Sequence, residues 1–263
     1  MSTNATKFER APLPPRRVQW GRALRALTRF ARRDYSGTSV QEFAVALDGG
    51  DGERSFQSFL ATPEAPRLLA ELPDLGGLLD DHARLEAMAP GSLGRRFLEL
   101  ARRDGIQVRY LTEGARQLPD YATLLPDPAR RWFADRGTAA HDLLHILTGY
   151  DRDEAGESML IAFSLPRSPL RVFRIALVLS LLVMPKRHWV SAARDLRRAY
   201  VRGRRSSFST SVFWEELLPL PIDEVRRRLD IAPFESAHPE GLWHPRADGK
   251  GWERAIGSQA IQG

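Results

Sequence analysis

Two imidazoles and two carboxylates crowd one stretch of this sequence. His141, Asp142, His145 and Glu157 fall within the segment HDLLHILTGYDRDEAGE. Neutral imidazole suits zinc, iron, nickel or copper, and carboxylates also suit magnesium and manganese. Two histidines with one or two carboxylates form a common catalytic ligand set, often with a position left for water or substrate. A histidine pair at this spacing, taken alone, is more often structural. The added Asp142 and Glu157 shift the reading to a divalent metal site built from all four residues. Asp142 serves either as a direct ligand or as a partner that orients a histidine from behind. It follows the first histidine, where the HExxH metalloproteases carry a glutamate base, and it is one methylene shorter. Metal-dependent hydrolysis is therefore the least favoured chemistry.

The elements that position these residues follow from helix geometry. Positions four apart lie about 40° from each other around an α-helix. With His141 at zero, His145 falls near ~40° and Asp142 near ~100°, so the three share one arc. Leu143, Leu144 and Ile146 fall elsewhere and can pack into a core. Gly149 suits the position after the helix, where φ is positive. Tyr150, Asp151 and Arg152 then make a short turn, and Asp153 can cap a second helix beginning near Glu154. Glu157 sits about one turn into that helix. An antiparallel pair with a short connection returns it to the His141/His145 face.

Composition narrows the chemistry. The chain has 263 residues and 43% hydrophobic content, enough for one sizeable core. It has no cysteine, which excludes disulfides, thiolate ligands and a cysteine nucleophile. The formal net charge is +6, and the only lysines are Lys7, Lys186 and Lys250. A GC-rich genome accounts for so much arginine; the functional reading is attraction to a phosphate-bearing surface. Basic and acidic residues are interspersed and no nucleic-acid module accompanies them, so a membrane surface is favoured over nucleic acid. The first residues lack the apolar stretch of a secretory signal, but their basic, Ser/Thr-containing character is compatible with a mitochondrial transit peptide in a eukaryote.

The remaining pattern is helical. Residues 1–17 read as disordered, with few apolar positions. Trp20, Leu24, Leu27 and Phe30 or Ala31 recur at helical spacing, as in an amphipathic helix capping the core or lying on a membrane. Ser92 is an N-cap candidate for the run containing Phe97, Leu98 and Leu100. Ile106–Tyr110 is the one candidate strand. Residues 170–184 are the most apolar run, too short to span a bilayer and expected as a buried core helix, with a helix lining a lipid-tail tunnel or dipping into a membrane interface as the alternative. A basic helix over 189–202 and two short helices near Trp214 and Ile222 follow. Residues 236–263 read as an irregular tail, with His238 and His244 on the surface. The expectation is an all-α fold: a single helical-bundle domain over 18–235 with a metal site between two adjacent helices.

These motifs resemble the coenzyme Q biosynthesis protein 4 family, whose signature H-D-x-x-H-x11-E is matched by His141, Asp142, His145 and Glu157. Pro90-Gly91-Ser92-Leu93-Gly94-Arg95 is similar to the family's P-x-G-S-L-G-R segment, shortened by one residue. Leu147-Thr148-Gly149-Tyr150, Gly156-Glu157, Ala162-Phe163, Trp214-Glu215 and Val225-Arg226 extend the likeness over roughly residues 20–235. The chain is read as a bacterial member. The resemblance implies a helical fold and the four motif residues as metal ligands. Zinc is the usual metal, with iron, manganese or magnesium as alternatives. It also implies a polyprenylated aromatic lipid as ligand, other quinone-biosynthesis proteins as partners, and a cytoplasmic position at the inner face of the membrane. In a eukaryote this would be the matrix side of the mitochondrial inner membrane. The implied activity replaces the ring's C1 carboxyl by hydroxyl; the alternative is a non-catalytic, lipid-binding scaffold.

Overall fold

The computed structural model describes residues 10–31, 37–168, 170–245 and 252–255. Three helices come first: α1 (Trp20–Ala31), α2 (Gly37–Asp48) and α3 (Asp51–Leu60). Short helices α4 (Ala65–Glu71), α5 (Leu75–Asp80) and α6 (His82–Glu86) lead to α7 (Leu93–Asp104), α8 (Val108–Arg116) and α9 (Tyr121–Leu124). The long α10 (Pro128–Thr148) is followed by α11 (Glu154–Ser164), α12 (Arg171–Val183) and α13 (Trp189–Arg205). Short α14 (Trp214–Leu217), α15 (Ile222–Arg228) and α16 (Phe234–Ala237) precede strands β1 (Leu242–Pro245) and β2 (Trp252–Ala255). The fold is all-α, with one small antiparallel hairpin at its end.

α10 is the axis of the molecule. Asp127 starts it by accepting the backbone N–H groups of Ala129 and Arg130, and Pro128 takes the first turn, where no N–H is needed. Towards its C-terminal end the helix is buried on nearly every side, with Ala139, Leu143, Ile146 and Leu147 all sealed from solvent. A helix buried on nearly every side belongs in a core, and its polar side chains there need partners. Phe97 and Leu98 of α7, Leu160 and Phe163 of α11, and Trp214 of α14 pack in the same cluster. Each such side chain contributes about 1.5–3 kcal/mol by leaving water. Ser92 caps α7 as expected, accepting from the Arg95 N–H.

Five sequence expectations meet a different arrangement. The stretch Ile106–Tyr110 is not a strand, because Asp80 reaches over from α5 and accepts the backbone N–H groups of Val108 and Arg109. Those are orphan donors of a helix start, so a distant carboxylate opens α8 there. The apolar run 170–184 is a helix, but not one sunk in the core: Val178 and Leu182 are exposed, and only one side of α12 meets α2. Trp20 and Leu24 also point outward, while the small Ala23 and Ala26 of α1 are buried against α2. The side chains of Phe30 and Ala31 lie outside the described residues. The tail pairs Leu242 with Ala255 and Pro245 with Trp252 in β1 and β2. His238 is buried, its Nε2 3.0 Å from the Tyr150 hydroxyl; the side chain of His244 lies outside the described residues.

The segment 1–17 falls partly outside the described residues. From Arg10 onward it has no regular structure, but it is tied down. Arg10 meets Asp127 at 2.6 Å, and Arg130 donates to the Ala11 carbonyl at 3.0 Å. Among the described residues no single helix is long and apolar enough to cross a membrane.

Candidate metal centre

His141 and His145 stand one turn apart on α10, and Gly149 ends that helix in the left-handed conformation, φ 73°. Its N–H closes on the His145 carbonyl. The chain then turns through Tyr150–Arg152, and Asp153 caps α11 by accepting from the Gly156 N–H at 2.7 Å. This is the connection expected from the sequence. Gly156 has a second role, because a Cβ there would lie 1.9 Å from the Asp151 carbonyl oxygen. Only glycine lets the first turn of α11 press against the preceding loop, and Glu157 is the next residue.

The result is a close triangle. Glu157 Oε2 is 3.2 Å from His141 Nε2, Glu157 Oε1 is 3.2 Å from His145 Nε2, and the two Nε2 atoms are 3.2 Å apart. One ligand atom from each residue lies within 4.8 Å of the others. His145 is fully buried, and its Nδ1 sits 2.9 Å from the Tyr150 carbonyl oxygen. A carbonyl only accepts, so Nδ1 carries the hydrogen and Nε2 of the neutral ring presents a lone pair to the triangle. His141 and Glu157 are half-buried and face the same point.

Three electron-pair donors converging on one point need a cation or a proton between them. Burial disfavours a charged His141, but the Glu157 carboxylate outweighs it and raises the imidazole's pKa above its ordinary value. Burial likewise works against a charged Glu157, yet the imidazoles beside it, His141 foremost, push its pKa far below the carboxylate range. A proton held by His141 and Glu157 is what a divalent metal would displace. The donor set, two imidazole nitrogens and a carboxylate with room for further ligands, fits zinc and also iron.

Asp142 is placed apart from this triangle. It is buried, its Oδ1 lies 3.4 Å from Arg152 Nε, and that oxygen has no hydrogen bond. Arg152 continues to Asp104, which pairs with Arg103, which in turn reaches Asp151. The structure thus brings His141, His145 and Glu157 together and puts Asp142 in a neighbouring ion network. The helical step explains the split: Glu157 arrives over the seam between the histidines, and Asp142 lies further round.

Residues with no ligand chemistry hold the centre in place. Arg202 donates to the Thr148 carbonyl at 2.8 Å, and Arg226 donates to Leu147 at 3.0 Å and Ile146 at 3.3 Å. These are last-turn carbonyls of α10, which have no partner inside the helix. Arg202 also lies over the Tyr150 ring, 5.1 Å from its centroid. Arg226 belongs to the Val225-Arg226 pair noted in the sequence, but its task was not readable there. Arg202 was hidden among the many arginines of a basic helix. Next to His141 a cavity of about 110 Å³ opens along α10.

The chain is similar to known proteins over most of its length. A family described as coenzyme Q (ubiquinone) biosynthesis protein Coq4 matches residues 23–235. The mitochondrial ubiquinone biosynthesis protein COQ4 of Yarrowia lipolytica is 30% identical over 182 residues, covering 66% of this chain and 64% of the relative. Its counterpart in Botryotinia fuckeliana is 26% identical over 179 residues, covering 66% and 59%. The chain thus spans less than two thirds of the length of these curated relatives. A crystal structure from Nostoc punctiforme, of a protein assigned to ubiquinone biosynthesis, shares the fold. Its TM-score is 0.59 at 19% identity, covering 82% of this chain and 99% of that one. With the family match extending from α1 to α16 and containing the whole His141/His145/Glu157 triangle, this chain belongs to the Coq4 family of coenzyme Q (ubiquinone) biosynthesis proteins.

Proposed function

We propose that His141, His145 and Glu157 hold a divalent metal, zinc first and iron, manganese or magnesium as alternatives. The site acts on a polyprenylated benzoate precursor of ubiquinone, replacing its C1 carboxyl by hydroxyl. The observation that carries this reading is the triangle itself: three donor atoms meet beside a cavity, and one imidazole has its tautomer set by a backbone carbonyl. Asp142 would join the ligands only by leaving Arg152; in its present place it steadies the turn that carries Glu157.

The reaction is an oxidation and needs an acceptor, for which dioxygen is the natural class. The arylcarboxylic acid, water and dioxygen give the phenol, carbon dioxide and hydrogen peroxide. The ring–carboxyl bond breaks, a ring–oxygen bond forms, and dioxygen takes the two electrons. A bound metal would act as a Lewis acid on the carboxylate; zinc itself has no redox chemistry. Other quinone-biosynthesis proteins and a membrane surface are the proposed partners, with the protein at the membrane's inner face.

Exposed apolar side chains favour a second reading. Trp20 and Leu24 on α1, and Val178 and Leu182 on α12, would suit a scaffold that holds lipid or enzymes while the metal is a structural clip. One experiment separates the readings. A strain lacking the family's function receives the wild type or Glu157→Ala, and both proteins are assayed for metal by mass spectrometry. Rescue by the wild type alone, with stoichiometric metal only in the wild type, supports the reaction. Rescue by Glu157→Ala, with prenyl lipid still bound, supports the scaffold.

A further inference from the structure

Tyr150 stands between the two helices that carry the metal centre, and its carbonyl accepts from His145 Nδ1 at 2.9 Å. That bond decides which nitrogen is free for a metal, because a neutral imidazole carries one hydrogen and the acceptor keeps it on Nδ1. The backbone of Tyr150 is loosely held. It lies past the end of α10, and its N–H reaches the Thr148 hydroxyl at 3.4 Å, a long bond. The helix therefore does not by itself fix where this carbonyl points.

The side chain is held more firmly. The Tyr150 ring is sealed from solvent, and Phe234 of α16 meets it edge-on with the centroids 6.0 Å apart. Its hydroxyl lies 3.0 Å from His238 Nε2. His238 follows α16 and is 1% exposed, and its backbone N–H donates to the Phe234 carbonyl at 2.9 Å. On the far side of the ring, Nδ1 lies 3.9 Å from Oδ1 of Asp195, a buried residue of α13. This is too long for a direct hydrogen bond, but a carboxylate there favours a hydrogen on Nδ1. Nε2 then offers a lone pair, and the Tyr150 O–H donates to it. Burial holds the Tyr150 phenol above its ordinary value, so that hydrogen stays in place.

A buried phenol needs a partner wherever it sits, and the pair would be structural on that ground alone. Its further consequence comes from the other end of the same residue. The hydroxyl and the carbonyl belong to Tyr150, so a ring that drifts at one end turns the acceptor of His145 at the other. A turned carbonyl would leave the buried Nδ1–H unpaired and favour the tautomer with its hydrogen on Nε2, where it faces the triangle and blocks a metal.

We propose that His238 is a positioning residue for the metal centre. It holds the Tyr150 hydroxyl, and through Tyr150 it fixes the carbonyl that sets the His145 tautomer. This rests on the reading of His141, His145 and Glu157 as metal ligands, and it ties that site to a residue beyond α16 that no motif points to.

The test is isothermal titration with zinc, together with NMR of the histidine ring nitrogens in the metal-free protein. Tyr150→Phe and His238→Leu are each expected to lower zinc affinity by about tenfold, as the loss of an outer partner does. Both break the same bond, so the double variant should lose no more than the larger single loss. In each, the His145 spectrum should show the hydrogen shared between Nδ1 and Nε2, where the wild type keeps it on Nδ1. His238→Gln places an amide oxygen near the position of Nε2 and should recover most of the affinity. Leu68→Ala, in the separate cluster of α3 and α4, controls for lost stability: its melting temperature should fall and its zinc affinity should not. Tyr150→Phe keeps the ring and removes only the hydroxyl, so it decides the matter if His238→Leu does not fold. Wild-type affinity and a wild-type His145 spectrum in Tyr150→Phe would overturn the proposal. So would losses that add in the double variant, or an equal loss in Leu68→Ala. A wild type that binds no zinc would sink the metal reading, and the His145 spectra would then judge the role of His238 alone.

Discussion

The junction of α10 and α11 and the cluster formed by α1, α2 and α12 treat their side chains in opposite ways. At the junction, polar groups are buried and nearly every one has a named partner: His145 on Tyr150, Arg202 on Thr148, Arg226 on Ile146 and Leu147. In the α1/α2/α12 cluster Trp20, Leu24, Val178 and Leu182 face out, while Ala23 and Ala26 of α1 pack against Phe43 and Leu47 of α2. The first region spends hydrogen bonds to hold a few atoms in fixed relation, as a coordination site requires. The second holds together by modest apolar contact and leaves an apolar surface over. Position matters in one and surface character in the other, and each can be tested by changes that should be felt in only one of them.

The largest effect on metal affinity should come from the buried ligand. His145→Ala is expected to lower affinity by more than about a hundredfold, beyond the 10–100-fold typical of outer partners. Isothermal titration with zinc checks this, and unchanged binding would remove the site. Gly156→Ala comes next, although it alters no ligand. The backbone at Asp151 must yield to the new Cβ, so Glu157 shifts away from the histidines. A loss of about 10–100-fold in affinity and about 1–3 kcal/mol in stability is expected. If affinity were unchanged, the tight junction would not be what places Glu157.

The third effect is a pH dependence. In the metal-free protein Glu157 is depressed and His141 raised, so the signs differ. The Glu157 contribution to stability is present above its ordinary 4.5 and is lost as pH falls through the depressed value. The His141 contribution is present below its ordinary 6.5 and is lost as pH rises through the raised value. The pair should therefore stabilise the metal-free protein fully between those two ordinary values. Metal affinity behaves differently, because the metal takes the place of the His141 proton. It should rise about tenfold per pH unit up to the raised histidine value and then level off. Titration in buffers of different ionisation enthalpy should show about one proton released. An affinity flat across that range would mean that no proton is shared in the triangle.

The sequence made the α10–α11 junction legible because every step in it is local. Gly149 ends one helix, Asp153 begins the next, and helical phase does the rest. What it did not show depends on residues far away in the chain. Asp80 turns Val108 into a helix start from 28 positions away, and Arg202 reaches Thr148 from 54 positions away. No period or motif around Val108 or Thr148 signals such partners. Asp142 is a finer case. Its phase placed it within the ligand arc, and its position in the structure follows from where Arg152 falls after the turn. His238 misled by its setting: in a stretch rich in Gly and Pro it reads as exposed, yet it closes on the Tyr150 hydroxyl.

The smallest effect on stability and metal is expected in the α1/α2/α12 cluster, and there the hydrophobic residue is the dispensable one. Leu24 is 66% exposed, whereas Ala26, two positions on, is 0% exposed. Periodicity would rank leucine as the core residue. In the structure the alanine side of α1 lies against α2, because a small side chain lets the two helices approach closely. Leu24→Ser should change stability by no more than about 0.5 kcal/mol and leave metal affinity alone. Ala26→Asp should disrupt the cluster, since it buries an unpaired charge. If the exposed apolar face meets a membrane, Leu24→Ser combined with Val178→Ser should reduce sedimentation with anionic vesicles while the melting curve stays in place. A fall in melting temperature of the size seen for Ala26→Asp would mean that these side chains are core after all, and the contrast between the two regions would collapse.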